Sequence, residues 1–204
     1  MATYYKNADV GLCAALSGLQ AADAADLLGK GKNVCVPLPR IGEAGDQITI
    51  GRCFTVKAAF ADNCAFRLAM EHVQPGDFIL AETAPGDDHA HVGEIMLTYL
   101  FESRKISGFA IDGFVRDSAA IISAGWPVYA AGITPKGPLE QRCGEICVPV
   151  TVRGVTARPQ DIVIADRDGI TIVPPDMLAR LSAGKDDFLL RNQHRLENSL
   201  RGIL

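Results

Sequence analysis

Two short stretches of this 204-residue chain put chemically capable groups where a fold could use them. Gly108 to Asp117 begins with an apolar run, Phe109 to Ile111, that reads as a buried strand. It breaks at Asp112-Gly113, where glycine permits a turn that a Cβ would hinder. Arg116 and Asp117 follow at once. A guanidinium and a carboxylate are thereby expected just past the C-terminal edge of a strand and at the entrance to the next helix, where α/β proteins tend to handle ligands. The second stretch, Gly93-Glu94-Ile95-Met96, opens a predicted helix over 94–105 in which Ile95, Leu97, Leu100 and Phe101 are apolar. The N–H groups of its first turn have no acceptor within the helix, so they form an anion site.

Each group has a plainer role open to it. Asp117 precedes Ser-Ala-Ala-Ile-Ile and could cap that helix, worth ~1 kcal/mol, and Arg116 could be a surface cation. His89 and His91, beside Asp87 and Asp88, have the residue types of a metal cluster, since imidazole and carboxylate both ligate divalent cations. They fall in a polar stretch, Thr83 to Val92, that reads as a flexible loop leading to the anion site; shaping that loop, or plain solvation, accounts for them more simply. Six cysteines, at 13, 35, 53, 64, 143 and 147, show no paired framework, and most sit in apolar surroundings as free thiols in a reducing compartment do. Cys143-x3-Cys147 lacks the second Cys or His pair of a zinc finger.

The elements that must position these groups alternate strand and helix. Residues 8–28 are Ala- and Leu-rich with helical spacing, interrupted at Ser17-Gly18 and stopped by Gly29-Lys30-Gly31, which predicts two short helices packing on a sheet or on a neighbouring subunit. Val34 to Pro37 is a short strand, and Gln47 to Ala58 alternates Ile48, Ile50, Phe54 and Val56 with the period of a half-buried one. Asp62 offers an N-cap to a helix through Val73. The stretches Pro75 to Glu82 and Pro159 to Asp166 share one form, a turn feeding a buried strand that ends on a carboxylate. After Asp117 a helix runs from Ser118 to Ala124 and stops at Gly125 in a left-handed position. Trp126 to Ala131, Ile146 to Val152 and Val163 to Val173 are strands, the last folded at Asp168-Gly169. The helical region 176–200 is broken at Gly184. Strands with helices between them predict an α/β fold.

At 21.8 kDa the chain fits one domain, residues 1–204, able to bury ~70% of its unfolded surface. Its 48% hydrophobic and 22% charged residues are ordinary for a soluble globular protein. A net charge of −4, with no basic cluster longer than Lys30-Gly-Lys32, argues against nucleic acid as a partner. No signal peptide precedes the first residues and no run approaches the ~20 apolar residues of a membrane span, so a cytoplasmic location is expected.

The pattern Gly-x-x-x-Asp-Gly-x-x-Arg-Asp at 108–117 is preceded by Gly-Glu-Ile-Met at 93–96. Gly125-Trp-Pro-Val-Tyr, Gly132-Ile-Thr-Pro-Lys-Gly-Pro and the segment from Ile162 to Pro174 follow it. This set resembles the class II pyruvate aldolases that cleave 4-hydroxy-4-methyl-2-oxoglutarate and 4-carboxy-4-hydroxy-2-oxoadipate, a family that also includes the regulator of ribonuclease activity A. The resemblance implies a three-layer β/β/α swivelling-domain fold, which pattern alone does not supply. It implies Asp117 as the direct ligand of Mg²⁺ or Mn²⁺, Arg116 as the group holding the carboxylate and keto oxygen of a small 2-oxo acid, and Gly93, Glu94, Ile95 and Met96 as substrate-binding. It also implies a trimer or hexamer, in which an acid from a neighbour's C-terminal region, about 175–204, completes the metal's water shell; Asp187 or Glu197 stands in that zone. Residues 85–92 depart from the more usual Gly-Gly-rich, aromatic version. The implied activity is retro-aldol cleavage of a 4-hydroxy-2-oxo acid to pyruvate and a second oxo acid, with oxaloacetate decarboxylation as a side activity. The alternative is a non-catalytic, protein-binding regulator of a ribonuclease. Lys105 and Lys136 lie near the motif in sequence, yet neither is placed to suggest a Schiff base.

Overall fold

Alternation along the central strands decides the architecture. The computed structural model describes residues 10–29, 33–42, 47–139 and 143–202. In it β2 (Thr49–Lys57), β3 (Asp77–Glu82) and β5 (Gly108–Val115) form the parallel centre of a mixed sheet. β6 (Val128–Ile133) runs parallel along one edge of β5, so β3 and then β4 (Ala90–Val92) share the other edge in succession. Beyond β2, β10 (Ile162–Asp166), β11 (Gly169–Val173) and β1 (Cys35–Val36) extend the sheet antiparallel. β7 (Glu145–Ile146) pairs with the end of β2, and β8 (Val150–Val152) and β9 (Val155–Ala157) form a separate hairpin.

Successive side chains of a strand point to opposite faces. Phe54, Val56, Ile79, Phe109 and Ile111 therefore share one core with α3 (Cys64–His72), α4 (Glu94–Thr98) and α5 (Ser118–Ala124). The residues between them, Cys53, Phe78, Leu80 and Ala110, pack instead with Val150, Val152, Val155 and Ala157 of the hairpin. Helices cover one face and a second β layer the other, as the resemblance implied. A third cluster closes α1 (Val10–Ala15), α2 (Ala21–Leu28) and α6 (Leu178–Leu200) over Ile50, Ile162 and Ile164. No described helix is long and apolar enough to cross a membrane.

Several expectations need correction. Of the two partners open to the short N-terminal helices, the sheet is the one observed: Leu12, Leu16, Leu19 and Leu28 are buried against Ile50, Ile162 and Ile164 of their own chain; Lys30-Gly31 lies outside the described residues. β5 does not end at Ile111, because a register shift against β6 between Ile111 and Phe114 absorbs Asp112-Gly113 without breaking the strand. Asp112 is spent on structure: its carboxylate lies 2.9 Å from Arg153 Nε and accepts the Arg153 amide at 3.1 Å. The helix predicted over 94–105 is α-helical only to Thr98 and continues as a π turn, Tyr99–Ser103. Asn63, not Asp62, holds the N-cap position of α3, while the Asp62 carboxylate accepts the Cys64 amide at 2.6 Å. The stretch 146–152 is two strands, and the β8–β9 hairpin went unforeseen. The β10–β11 turn is Arg167-Asp168, since Asp166 pairs with Gly169. α6 runs unbroken through Gly184, whose bare Cα faces Leu27 of α2; one glycine costs a long helix only ~1 kcal/mol. The repeated Pro-x-Asp form is one turn used twice: the Gln74 amide donates to Asp77 at 2.8 Å and the Arg158 amide to Asp161 at 2.7 Å.

Candidate active site

β5 delivers Arg116 and Asp117 at its C-terminal end. The Arg116 amide donates to Val92 O at 3.1 Å, which fastens the pair to β4. Asp117 then takes up φ 61°, ψ 41°, a left-handed conformation that Asp tolerates better than most residues. Its carbonyl starts α5 by accepting the Ala120 and Ile121 amides at 3.1 and 3.3 Å. Its carboxylate does not cap that helix. It turns the other way, and Oδ2 accepts the Glu94 amide at 3.0 Å, in the first turn of α4. Arg116 Nε lies 3.7 Å from the same oxygen, with both side chains about half exposed.

Gly93 makes this arrangement possible. Its backbone is extended, open to any residue, but a Cβ there would overlap Asp117 Oδ2 and press on Arg116 Cγ. Gly137 does the same from the opposite side, where a Cβ would come 2.8 Å from Arg116 Nη1. Two missing side chains thus give the guanidinium and carboxylate their room.

The pair opens onto a cleft of about 510 Å³. Gly93, Ile95, Met96 and His91 line it with Arg116 and Asp117. Ile95 and Met96 are the second and third residues of α4, so their amides have no acceptor in a preceding turn. Asn63, Arg67, Gly137 and Pro138 complete the walls and were not singled out from sequence. Asn63 is only 7% exposed, its Nδ2 lies 3.9 Å from Met96 Sδ, and its Oδ1 has no hydrogen-bond partner. A buried amide oxygen without a partner invites a ligand donor or water. Nothing in the residue pattern marks it, since it merely precedes an ordinary amphipathic helix.

Other expected residues fall elsewhere. Glu94 gives its amide to Asp117 while its side chain is exposed and off the cleft. Asp187 and Glu197 lie on α6, which packs on α2 and does not reach the cleft of its own chain. Lys136 is paired with Asp88 at 2.6 Å, Lys105 lies 3.9 Å from Glu102, and among the described residues no lysine lines the cleft.

His89 and His91 are not in a solvated loop. Both are buried, around a buried Asp87. Asp87 Oδ1 accepts the His89 amide at 3.1 Å and faces His89 Nδ1 at 2.9 Å; Oδ2 accepts the Ala61 amide at 2.6 Å and faces His91 Nε2 at 3.1 Å. Burial pushes the Asp87 carboxyl up, but these partners outweigh it and hold the group below the usual carboxylate range. His91 Nδ1 meets Asp62 O at 2.8 Å, so each ring nitrogen of His91 already faces a protein oxygen. Ligand atoms of Asp87, Asp88 and His89 lie close enough to hold a cation. The oxygens of Asp87 are already saturated by donors, however, and the cluster reads as a hydrogen-bonded prop under β4. Among the described residues Asp117 is the one carboxylate lining the cleft, and its exposed oxygens suit a Mg²⁺-like ion that keeps most of its waters.

Comparisons with known proteins place the chain in a family. The RraA-like family, described as Aldolase/RraA, matches residues 20–172. A protein of Halalkalibacterium halodurans, provisionally named 4-hydroxy-4-methyl-2-oxoglutarate aldolase, is 33% identical over 129 residues, 63% of this chain and 60% of that protein. The chain thus spans less than two thirds of that relative. A protein of Aromatoleum aromaticum with the same provisional name is 30% identical over 128 residues, 63% of this chain and 79% of that one. The structure of the RNA-processing inhibitor RraA from Thermus thermophilus matches with a TM-score of 0.67 at 25% identity, covering 76% of this chain and 92% of the other.

Proposed function

The chain belongs to the RraA-like, Aldolase/RraA family, and from that premise we propose that its cleft cleaves a 4-hydroxy-2-oxo acid to pyruvate and a second oxo acid with the help of Mg²⁺ or Mn²⁺. The Arg116 guanidinium offers forked donors to the substrate carboxylate, and the Ile95 and Met96 amides add donors from the α4 first turn. Asp117 would hold the cation, which supplies Lewis-acid polarisation of the 2-oxo group when bound. As the C3–C4 bond breaks, negative charge gathers on the 2-oxo oxygen. Arg116 stabilises that charge more than it stabilises the ground state, and this difference is what accelerates the reaction. The unpaired Asn63 Oδ1 is an acceptor suited to the C4 hydroxyl. Loss of CO₂ from C3 of oxaloacetate develops the same charge, so decarboxylation is a natural side activity.

The observation carrying this reading is the meeting of Arg116 and a left-handed Asp117 over Gly93, at the mouth of one cleft. In an assembly, α6 could bring Asp187 or Glu197 to a neighbour's cleft. A coupled assay for pyruvate, from 4-hydroxy-4-methyl-2-oxoglutarate and from oxaloacetate, tests the reading. Pyruvate should appear from both, vanish in EDTA and return with Mg²⁺ or Mn²⁺. No pyruvate with either cation would leave the role of a ribonuclease regulator, in keeping with the Thermus structure's description as an RNA-processing inhibitor.

A further inference from the structure

We propose that Cys64 and Cys143 are a redox-active pair that closes a reversible disulfide beside the cleft, between the start of α3 and the approach to β7. The two thiols are 79 positions apart in sequence, yet their sulfurs lie 2.7 Å apart, closer than the ~3.5 Å at which non-bonded carbons meet. Cys143 is exposed and Cys64 partly so, which leaves both open to a small oxidant. Cys13 and Cys53 are buried.

The backbone on either side holds the sulfurs in register. Cys64 is the first residue of α3, directly after Asn63 and one turn before Arg67, both of which line the cleft. Cys143 is followed by Gly144, where a Cβ would run into Lys57 O, and then by β7, paired with the end of β2. On the other wall, Gly137 and Pro138 line the cleft, and the Leu139 amide donates to Ala61 O at 2.6 Å, two residues before Asn63. The bond would therefore join the start of α3 to the residue two positions before β7, whose sulfur already lies against Cys64. No large rearrangement is needed.

The chemistry is thiol–disulfide exchange with an oxidised low-molecular-weight disulfide such as oxidised glutathione. A thiolate of the pair attacks one sulfur of that disulfide and expels a thiolate, forming a mixed disulfide. The second cysteine sulfur then attacks the first and expels the other thiolate. Two electrons pass from the pair to the oxidant, and two protons end on the two released thiols. Sharing its proton with Cys143 pushes the Cys64 thiol up, which favours exposed Cys143 as the sulfur that reacts first. The inference rests on the thiols and the backbone, and stands whether or not the cleft is an aldolase.

The test is to equilibrate the native protein with graded mixtures of reduced and oxidised glutathione, digest it without reduction, and map cross-links by mass spectrometry. The expected product joins the Cys64 and Cys143 peptides, two hydrogens lighter, and dithiothreitol reverses it. Closing so long a loop should raise Tm by on the order of 10 °C. Cys64→Ser and Cys143→Ser should melt like the reduced protein and gain nothing on oxidation, while Cys147→Ser should behave like wild type. A stable glutathione adduct on Cys143 with Cys64 still free, a Cys143–Cys147 bond, or an unmodified pair under conditions that modify exposed Cys35 would each overturn the proposal.

Discussion

At Gly93 a missing side chain makes room for Asp117 and Arg116. Gly93→Ala keeps an allowed backbone but sets a methyl group against Asp117 Oδ2 and Arg116 Cγ. A displacement of ~1 Å at such groups costs on the order of 10²-fold in rate, against about 1–3 kcal/mol of stability for overpacking. Pyruvate formation should thus fall far more than Tm, and steady-state kinetics beside a melting curve checks it. Asp87 behaves oppositely, as a structural carboxylate. Its folded pKa is lowered, so its stabilisation is complete above the unfolded value of ~3.9 and is lost as pH falls through the folded value. Asp87→Asn should cost about 3–5 kcal/mol at pH 7, because one oxygen facing Ala61, His89 or His91 becomes a donor. The Tm gap to wild type should narrow towards pH 3; a constant gap would mean the network is not ionic. Arg116 and Asp117 were legible as a pair from their place after an apolar run. The direction of the Asp117 carboxylate was not, because a left-handed φ leaves no mark on residue order.

At the scale of elements, period-2 alternation identified the central strands, where both faces are buried and the signal is strong. It failed for β4, three residues with His91 in the middle, whose burial depends on partners at Asp87 and Asp62 distant from any local pattern. It failed for β8–β9 too, whose three-residue strands flank Arg153-Gly154 and are too short to show a period. The start of α4 carries its own prediction. Ile95 is 83% exposed at the second helical position, where Pro is tolerated, so Ile95→Pro deletes one amide donor and little else. One lost hydrogen bond to a charged ligand, about 1.5–3 kcal/mol, should weaken oxalate or pyruvate binding roughly tenfold or more at nearly constant Tm. Unchanged affinity by calorimetry in the folded variant would remove the α4 amides from the site.

At the scale of the whole molecule, the two N-terminal helices, for which a sheet or a neighbour was open, pack on their own sheet, and α6 is left as the candidate contact. Its only buried residue is Leu181, while Leu190, Leu196 and Leu200 are 53%, 63% and 81% exposed. A trimer or hexamer should therefore be seen by light scattering at micromolar concentration, and Leu196→Asp with Leu200→Asp should shift it towards single chains that still melt cooperatively. Wild type at the mass of one chain would contradict this. The three-layer order was readable only through family resemblance, because the pairing of distant β2, β10 and β11 is a long-range choice that local pattern does not encode. Whether Asp117 serves turnover and not only the fold is decided by Asp117→Asn. Asn tolerates the left-handed backbone and can still accept the Glu94 amide, so Tm in EDTA should match wild type. Pyruvate formation, with Mg²⁺ titrated into the millimolar range, should nonetheless drop by ~10²-fold or more. A variant that melts like wild type and keeps most of its activity would contradict a role for Asp117 in turnover.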